Sequence, residues 1–193
     1  MEPLTSARFP QRRKRSGQPS RPGRMALVLA LLAGLAGHGS EVQEYQVKAV
    51  FLLNFTKFIE WPPSAFAAPD SPIAICILGE DPFGKTLDQV VAGEVVNGHR
   101  VVVERIKTAP APKTCQVLFI ARSERDVVKV LAAFGPGVLT IGEGQSFVRD
   151  GGMIAFVVEN RRVRFGVNEG AAANAGLVVS SKLLNIARWV ERH

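Results

Sequence analysis

From residue 47 onward, the spacing of apolar and polar residues switches repeatedly between a helical and a strand-like period. Residues 47–61 (VKAVFLLNFTKFIEW) carry apolar residues at helical spacing, and we expect this helix to end at the Pro-Pro pair that follows. Its main apolar face is predicted to contain Val47, Val50, Phe51, Phe58 and Trp61, with Leu52, Phe55 and Ile59 on the adjoining side.

The rest of the chain alternates between strands and helices. Apolar or alternating runs predict strands at 73–78, 100–106, 115–121, 138–141, 153–158 and 162–167. Amphipathic runs predict helices at 83–91, 123–134, 171–176 and 180–191. Ser123 and Asp126 are residue types that suit the N-terminal cap of the helix at 123–134.

This order of elements indicates an α/β fold. Strand–helix–strand units favour crossover connections and parallel pairing, whereas the short turn at 159–161 favours an antiparallel hairpin between the last two strands. We therefore predict a single domain in which a mixed, mostly parallel sheet is flanked by helices on both faces.

The positive charge of the chain is concentrated at its N-terminus. Seven of the 24 Lys and Arg residues lie in residues 1–24 with one acid, which leaves 17 basic and 16 acidic residues from Ser40 onward. A short apolar run (MALVLALLAGLAG, 25–37) and small residues follow the basic head, as in a secretory signal peptide. We therefore predict a basic leader and signal peptide at 1–39, a periplasmic domain at 40–193, and no nucleic-acid partner; an uncleaved membrane anchor is the alternative.

The sequence GEDPFGKT at 79–86 matches the phosphate-loop pattern G-x-x-x-x-G-K-[ST]. A phosphate loop directs successive backbone N–H groups at phosphate, but here Glu80 and Asp81 would repel an anion and Pro82 has no N–H to donate. The interpretation that we favour is a strand-to-helix turn, with a nucleotide-binding protein that uses Lys85 as a remote alternative.

The sequence suggests no other pattern of catalysis or metal binding. Outside the leader the histidines are His99 and His193, and there is no C-x-x-C, H-E-x-x-H or calcium-loop spacing. We therefore predict no enzymatic activity, no cofactor and no metal. Ligands of open α/β sheets bind beyond the carboxyl ends of the strands, which makes Gly79, Asp81, Phe83, Arg122 and Ser123 the candidate ligand-binding residues.

Two further features leave alternatives open. Cys76 and Cys115 lie in apolar strand-like runs and form either a disulfide or two buried thiols, and export favours the disulfide. The run Arg161-Arg162-x-Arg164 forms either a solvated hairpin face, which is the simpler interpretation, or a contact for an anion.

Five segments in order resemble the YfiR family: VKAVFLLNFTKFIEWP, ICILGEDPFGKTL, CQVLFIARSE, VLTIGEGQSFVRDGGMIAFV and VRFGVNEGAAANAGLVVSSKLLNIA. The resemblance spans about residues 44–188 and implies a periplasmic, non-enzymatic protein with a mixed sheet flanked by helices. The best-known member represses an inner-membrane diguanylate cyclase through its periplasmic sensor domain, is tied to redox state through disulfides and is reported to bind small molecules.

For this chain the resemblance implies a regulatory protein that modulates cyclic-di-GMP signalling. Its expected partner is an inner-membrane diguanylate cyclase or sensor kinase, with a small molecule and a homodimer as further expectations. The family's cysteines fall on Cys76 and Cys115, which strengthens the predicted bridge, but the second cysteine pair of the best-known member is absent. The alternative function is a periplasmic protein that binds a small ligand.

Overall fold

The structure is a computed structural model that describes residues 35–107 and 115–192, with side chains from residue 41 onward. All the strands described here lie within residues 39–193, which form one compact unit. The predicted leader and signal peptide lie almost wholly outside the described residues. Within the described ranges, no helix has both the length and the hydropathy to cross a bilayer.

The described residues contain six α-helices and ten strands. The helices are α1 Leu35–Phe58, α2 Lys85–Val91, α3 Val127–Ala133, α4 Gln145–Arg149, α5 Glu169–Asn174 and α6 Ser181–Ile186, with a 3-10 turn at Pro63–Ala65. The strands are β1 Ile59–Glu60, β2 Ile73–Leu78, β3 Val95–Val96, β4 His99–Ile106, β5 Cys115–Ile120, β6 Leu139–Glu143, β7 Ile154–Glu159, β8 Arg162–Asn168, β9 Val178–Val179 and β10 Trp189–Glu191.

Eight of these strands form one mixed sheet in the order β10-β8-β7-β6-β5-β2-β4-β3. The pairs from β7 through β6, β5 and β2 to β4 are parallel, as is β8 with β10, whereas β7–β8 and β3–β4 are antiparallel. Strands β1 and β9 form a separate antiparallel pair. The predicted α/β class with a mixed, mostly parallel sheet is confirmed.

Helices cover both faces of the main sheet, and its central strands are therefore buried on both faces. Every residue of β2 and β5 is buried, as expected for the continuous apolar runs in the sequence. One core cluster joins α1, α2 and α6 to one face, through Leu52, Leu87 and Leu183. A second cluster joins α3 and α4 to the other face, through Val130 and Phe147.

The first helix differs from its prediction in both ends and in its buried face. Helix α1 begins at Leu35, twelve residues before the predicted start. It ends at Phe58, three residues before the predicted end, because the next two residues pair with β9. Val47 and Val50, which were predicted to face the core, are 43% and 47% exposed. The side of α1 that faces the core is instead the predicted adjoining side, which contains Leu52 and Phe55. This side also holds a charged residue, and its buried residues are Lys48, Ala49, Leu52, Leu53, Phe55 and Thr56.

The C-terminal segment is also different from its prediction. The helix predicted at 180–191 ends at Ile186, and Trp189–Glu191 instead forms the edge strand β10 beside β8. The Trp189 ring lies against Gly166, where an added Cβ would be only 2.0 Å from the indole. The glycine in β8 therefore provides the space in which the edge strand packs.

Candidate functional site

The carboxyl ends of β2, β5 and β6 meet at one edge of the sheet, and the five candidate ligand-binding residues lie there or in the turns that follow. Gly79 has a positive φ of 91°, and a Cβ on it would approach the Ser123 hydroxyl oxygen to 2.7 Å. The Glu80 N–H donates to that same oxygen at 2.8 Å. Ser123 therefore joins the ends of β2 and β5, and it does not cap α3, which begins only at Val127.

Asp81 holds together the turn formed by GEDPFGKT. Its Oδ1 accepts hydrogen bonds from the N–H groups of Phe83 at 2.8 Å and Gly84 at 3.3 Å, and its Oδ2 accepts one from Arg105 Nε at 2.9 Å. Arg105 also donates to both carboxylate oxygens of Asp88, which lowers the pKa of Asp88 and raises that of Arg105. Backbone donors that a phosphate loop needs are thus engaged within the protein, which supports a structural turn.

Phe83 connects this turn to α1. Its side chain is buried, and its ring makes edge contacts with Phe119 of β5 at 4.8 Å and with Tyr45 of α1 at 5.5 Å between centroids. Phe83 is therefore a packing residue beneath the edge, whereas 68% of the Arg122 side chain is exposed.

A cluster of four charged side chains and one tyrosine, here called the edge cluster, covers the ends of β5 and β6. It consists of Glu44, Tyr45 and Lys48 from α1, Arg122 after β5, and Glu143 at the end of β6. Lys48 and Glu143 are 1% and 2% exposed. Lys48 Nζ donates to Glu44 and to Glu143 Oε1, and Arg122 Nε forms a salt bridge with Glu143 Oε2. Burial of the Lys48 and Glu143 charges is tolerable only because each has an opposite charge within hydrogen-bond distance.

Tyr45 completes the edge cluster. Its hydroxyl donates to Glu143 Oε2 at 3.3 Å, and Lys48 Nζ lies 4.3 Å from the centre of its ring, within the range of a cation–π contact. Burial, followed by the negative charge of Glu143, raises the pKa of Tyr45 to about 12, although the positive charge of Arg122 opposes this shift. The phenol therefore stays neutral and acts as a hydrogen-bond donor at physiological pH.

The outer side of the edge cluster opens into a cleft of about 400 Å³. Arg122, Glu124 and Glu143 supply its polar wall, and Val127 and Phe147 contribute to its apolar wall. The cleft therefore presents charged groups beside apolar ones.

Sequence reasoning missed Lys48, Tyr45 and Glu143. Two signals were available: Glu44 and Lys48 have the i, i+4 spacing of a helical ion pair, and Lys48 shares a helix face with Leu52. Neither signal reveals that the partner of Lys48 is Glu143, which lies 95 residues away.

Cys76 of β2 and Cys115 of β5 are joined by a disulfide between neighbouring strands. Their Cα atoms are 5.9 Å apart and both residues are buried, on the face that α3 and α4 cover. Glu104 of β4 lies beside them. The two sulfurs and a carboxylate oxygen of Glu104 lie within 4.8 Å of one another, which is close enough to suggest a metal site. Because the two sulfurs are bonded to each other, they are not available as thiolate ligands for a metal.

Comparison with known proteins identifies the family. The model of the YfiR/HmsC-like family matches residues 45–188, which is most of the chain and includes the edge cluster from Tyr45 onward. This chain belongs to the YfiR/HmsC-like family. The expected resemblance is therefore confirmed, and membership places the chain in a periplasmic, regulatory and non-catalytic family.

Other comparisons add little about function. No curated protein matches the chain. A crystal structure described as a conserved domain protein from Vibrio cholerae O1 biovar El Tor strain N16961 is similar, with 12% sequence identity and a TM-score of 0.46. The match covers 61% of this chain and 54% of the Vibrio cholerae chain, so this chain spans about half the length of the Vibrio cholerae protein.

Proposed function

We propose that this protein is an exported, non-enzymatic regulator that binds a membrane signalling protein and modulates cyclic-di-GMP signalling. Its partner would be the periplasmic domain of an inner-membrane diguanylate cyclase or of a sensor kinase. The observation that carries this proposal is the match to the YfiR/HmsC-like family over residues 45–188.

The chemistry of the edge cluster supports a regulatory function. An acid–base catalyst needs an ionisable group that is positioned to exchange a proton with a substrate. Here both oxygens of Glu143 accept bonds from cluster members, Lys48 is buried between two carboxylates, and the Tyr45 hydroxyl is held neutral. These groups neutralise one another, as expected of a structural or switching element.

The test uses the full chain in its native host. Affinity capture from crosslinked membranes should recover a diguanylate cyclase or a sensor kinase, and deletion of the gene should change the cellular cyclic-di-GMP level. Expression of the wild-type chain in the deletion strain should restore that level. Recovery of neither class of membrane protein, together with an unchanged cyclic-di-GMP level, would refute the proposal.

A second candidate function, the binding of a small ligand, is favoured by the cleft beside Arg122. A thermal-shift screen with nucleotides and amino acids would reveal a ligand, and Arg122→Gln should abolish its effect. Arg125→Gln is the matched control, because Arg125 is an exposed arginine outside the residues that line the cleft. If no compound shifts the transition, or if both variants respond like the wild type, the cleft is not a ligand site.

A further inference from the structure

The β7–β8 hairpin places two arginines side by side. Asn160 and Arg161 both have positive φ, 50° and 60°, which is the geometry of a two-residue type I′ turn. This turn sets the register in which Glu159 pairs with Arg162 and Val157 pairs with Arg164. Because alternate residues of a strand share a face, the exposed side chains of Arg162 and Arg164 lie next to each other, roughly 7 Å apart along the strand.

A third arginine comes from the segment before β10. The Arg188 N–H donates to the Phe165 carbonyl at 2.8 Å, which attaches this segment to β8. The Arg188 side chain then reaches the hairpin, where its Nε donates to Glu159 Oε2 at 2.8 Å. Together these segments border an open cleft of about 580 Å³, here called the arginine cleft, which is lined by Glu159, Asn160, Arg162, Arg164, Ile186, Ala187 and Arg188.

The arginine cleft has an excess of positive charge. Three guanidinium groups line it against the single carboxylate of Glu159, which already accepts a bond from Arg188 and stands opposite Arg162. Arg164 stands opposite Val157, and within residues 35–107 and 115–192 neither Arg162 nor Arg164 forms a salt bridge. Like charges at neighbouring positions of a sheet repel, so an anion between them would offset that repulsion.

The number and kind of donors indicate which anion fits. A guanidinium presents a planar fork of N–H groups that matches two oxygens of a phosphate, and it is favoured over lysine where such paired contacts matter. If the two arginines of β8 only formed a solvated hairpin face, no other element would be needed beside them. The structure also places Arg188 there, and Ile186, which is 63% exposed, lines the side of the cleft.

We propose that the arginine cleft binds a phosphate-bearing ligand through Arg162, Arg164 and Arg188. Two sources share this chemistry: a free phosphorylated small molecule and the headgroup of an anionic lipid at the membrane surface. The inference is independent of the proposed regulatory function and of the cleft beside Arg122.

Calorimetry and vesicle sedimentation, each with the full chain at physiological salt, test the two sources separately. One arm titrates pyrophosphate, and the other measures sedimentation with phosphatidylglycerol vesicles against phosphatidylcholine vesicles. We expect binding in at least one arm, which identifies the source, and at least about tenfold weaker binding for Arg162→Gln/Arg164→Gln. Arg125→Gln/Arg149→Gln removes the same charge from two exposed arginines outside the cleft and should bind like the wild type.

A conservative variant separates a built site from diffuse attraction. Arg162→Lys/Arg164→Lys keeps the charge but loses the paired contacts, so its affinity should fall between those of the wild type and the glutamine variant. If the glutamine pair fails to fold, Arg164→Gln alone replaces it, because its cross-strand neighbour is the apolar Val157. The proposal is overturned by absence of binding in both arms, by equal losses in the control pair, or by wild-type affinity in the lysine variant.

Discussion

Substitution of Lys48 by methionine should strongly destabilise the domain. Methionine has a similar length and no charge, so it fills the space but leaves buried Glu143 without one of its two cations. Removal of one partner from a buried ion pair typically costs about 3–5 kcal/mol. Because Tyr45 remains hydrogen-bonded to Glu143 and Arg122 remains its salt-bridge partner, we expect the low end of that range, about 3 kcal/mol. For a domain of this size, that loss would lower Tm by roughly 6–12 °C.

The matched control is Lys57→Met on the same helix. Lys57 pairs with Glu94 at 3.1 Å, but both side chains are largely exposed, at 41% and 38%. Exposed pairs of this kind contribute about 0–1 kcal/mol, so this variant should be nearly neutral. The two variants remove the same charge from one helix, and their difference therefore measures the effect of burial.

A double-mutant cycle with Glu143→Gln isolates the contact itself. Each single variant should cost about 3 kcal/mol, whereas the double variant should cost about 2 kcal/mol less than the sum of the two, because neither charge is then left without its partner. The assay is equilibrium unfolding in urea followed by tryptophan fluorescence, with midpoints and slopes compared. The reasoning is refuted if Lys48→Met costs no more than Lys57→Met, or if the two single effects add.

Four further outcomes follow from the structure. Tyr45 is the single tyrosine of the chain, so the tyrosinate absorbance reports the ionisation of Tyr45 alone. We expect a pKa near 12 for Tyr45, and a still higher pKa in Arg122→Gln, which removes a positive charge that lowers it. A pKa near the ordinary 10.0 would contradict the edge cluster. Because the pKa of Tyr45 is higher in the folded than in the unfolded state, its contribution to stability is complete below pH 10.0 and is lost as the pH rises towards 12. Tyr45→Phe has no phenol to ionise, so the wild type should lose stability relative to this variant between pH 10.0 and 12. Free-thiol titration of the denatured, unreduced protein should find no thiol from Cys76 or Cys115, and reduction should lower stability by roughly 2–4 kcal/mol; two free thiols per chain would exclude the bridge. Gly79→Ala should destabilise the domain by at least about 1 kcal/mol because of its positive φ and the hydroxyl 2.7 Å from the new Cβ, and an unchanged urea midpoint would contradict this.

Much of the sheet could be predicted because its signals are local. The buried strands β2 and β5 are continuous apolar runs between turn residues, and the hairpin of β7 and β8 is joined by a short polar turn. The phosphate-loop pattern could also be reinterpreted locally, since Asp81 and Pro82 are poor residues for phosphate contacts and good ones for a turn. In each case the deciding interactions join residues that are close in sequence.

Other elements were mispredicted because distant residues decide them. The end of α1 and the strand β1 depend on pairing with Val178 and Val179, and β10 depends on a place beside β8 over Gly166. Short segments such as these have little preference of their own, so the hydrogen-bond partners that the tertiary structure offers determine their conformation.

The α/β class, the order of the central strands along the chain and the group of residues at their carboxyl ends follow from the amino-acid sequence alone. The buried face of α1, and with it the pairing of Lys48 with Glu143 across 95 residues, depends on the packing of the folded domain. The pairing of Glu159 with Arg188 across 29 residues likewise depends on the packing of the segment before β10 against β8. Periodicity is a property of neighbouring residues and can be read along the chain. Charge pairing depends on distance in space, which the sheet order determines and which no spacing in the sequence records.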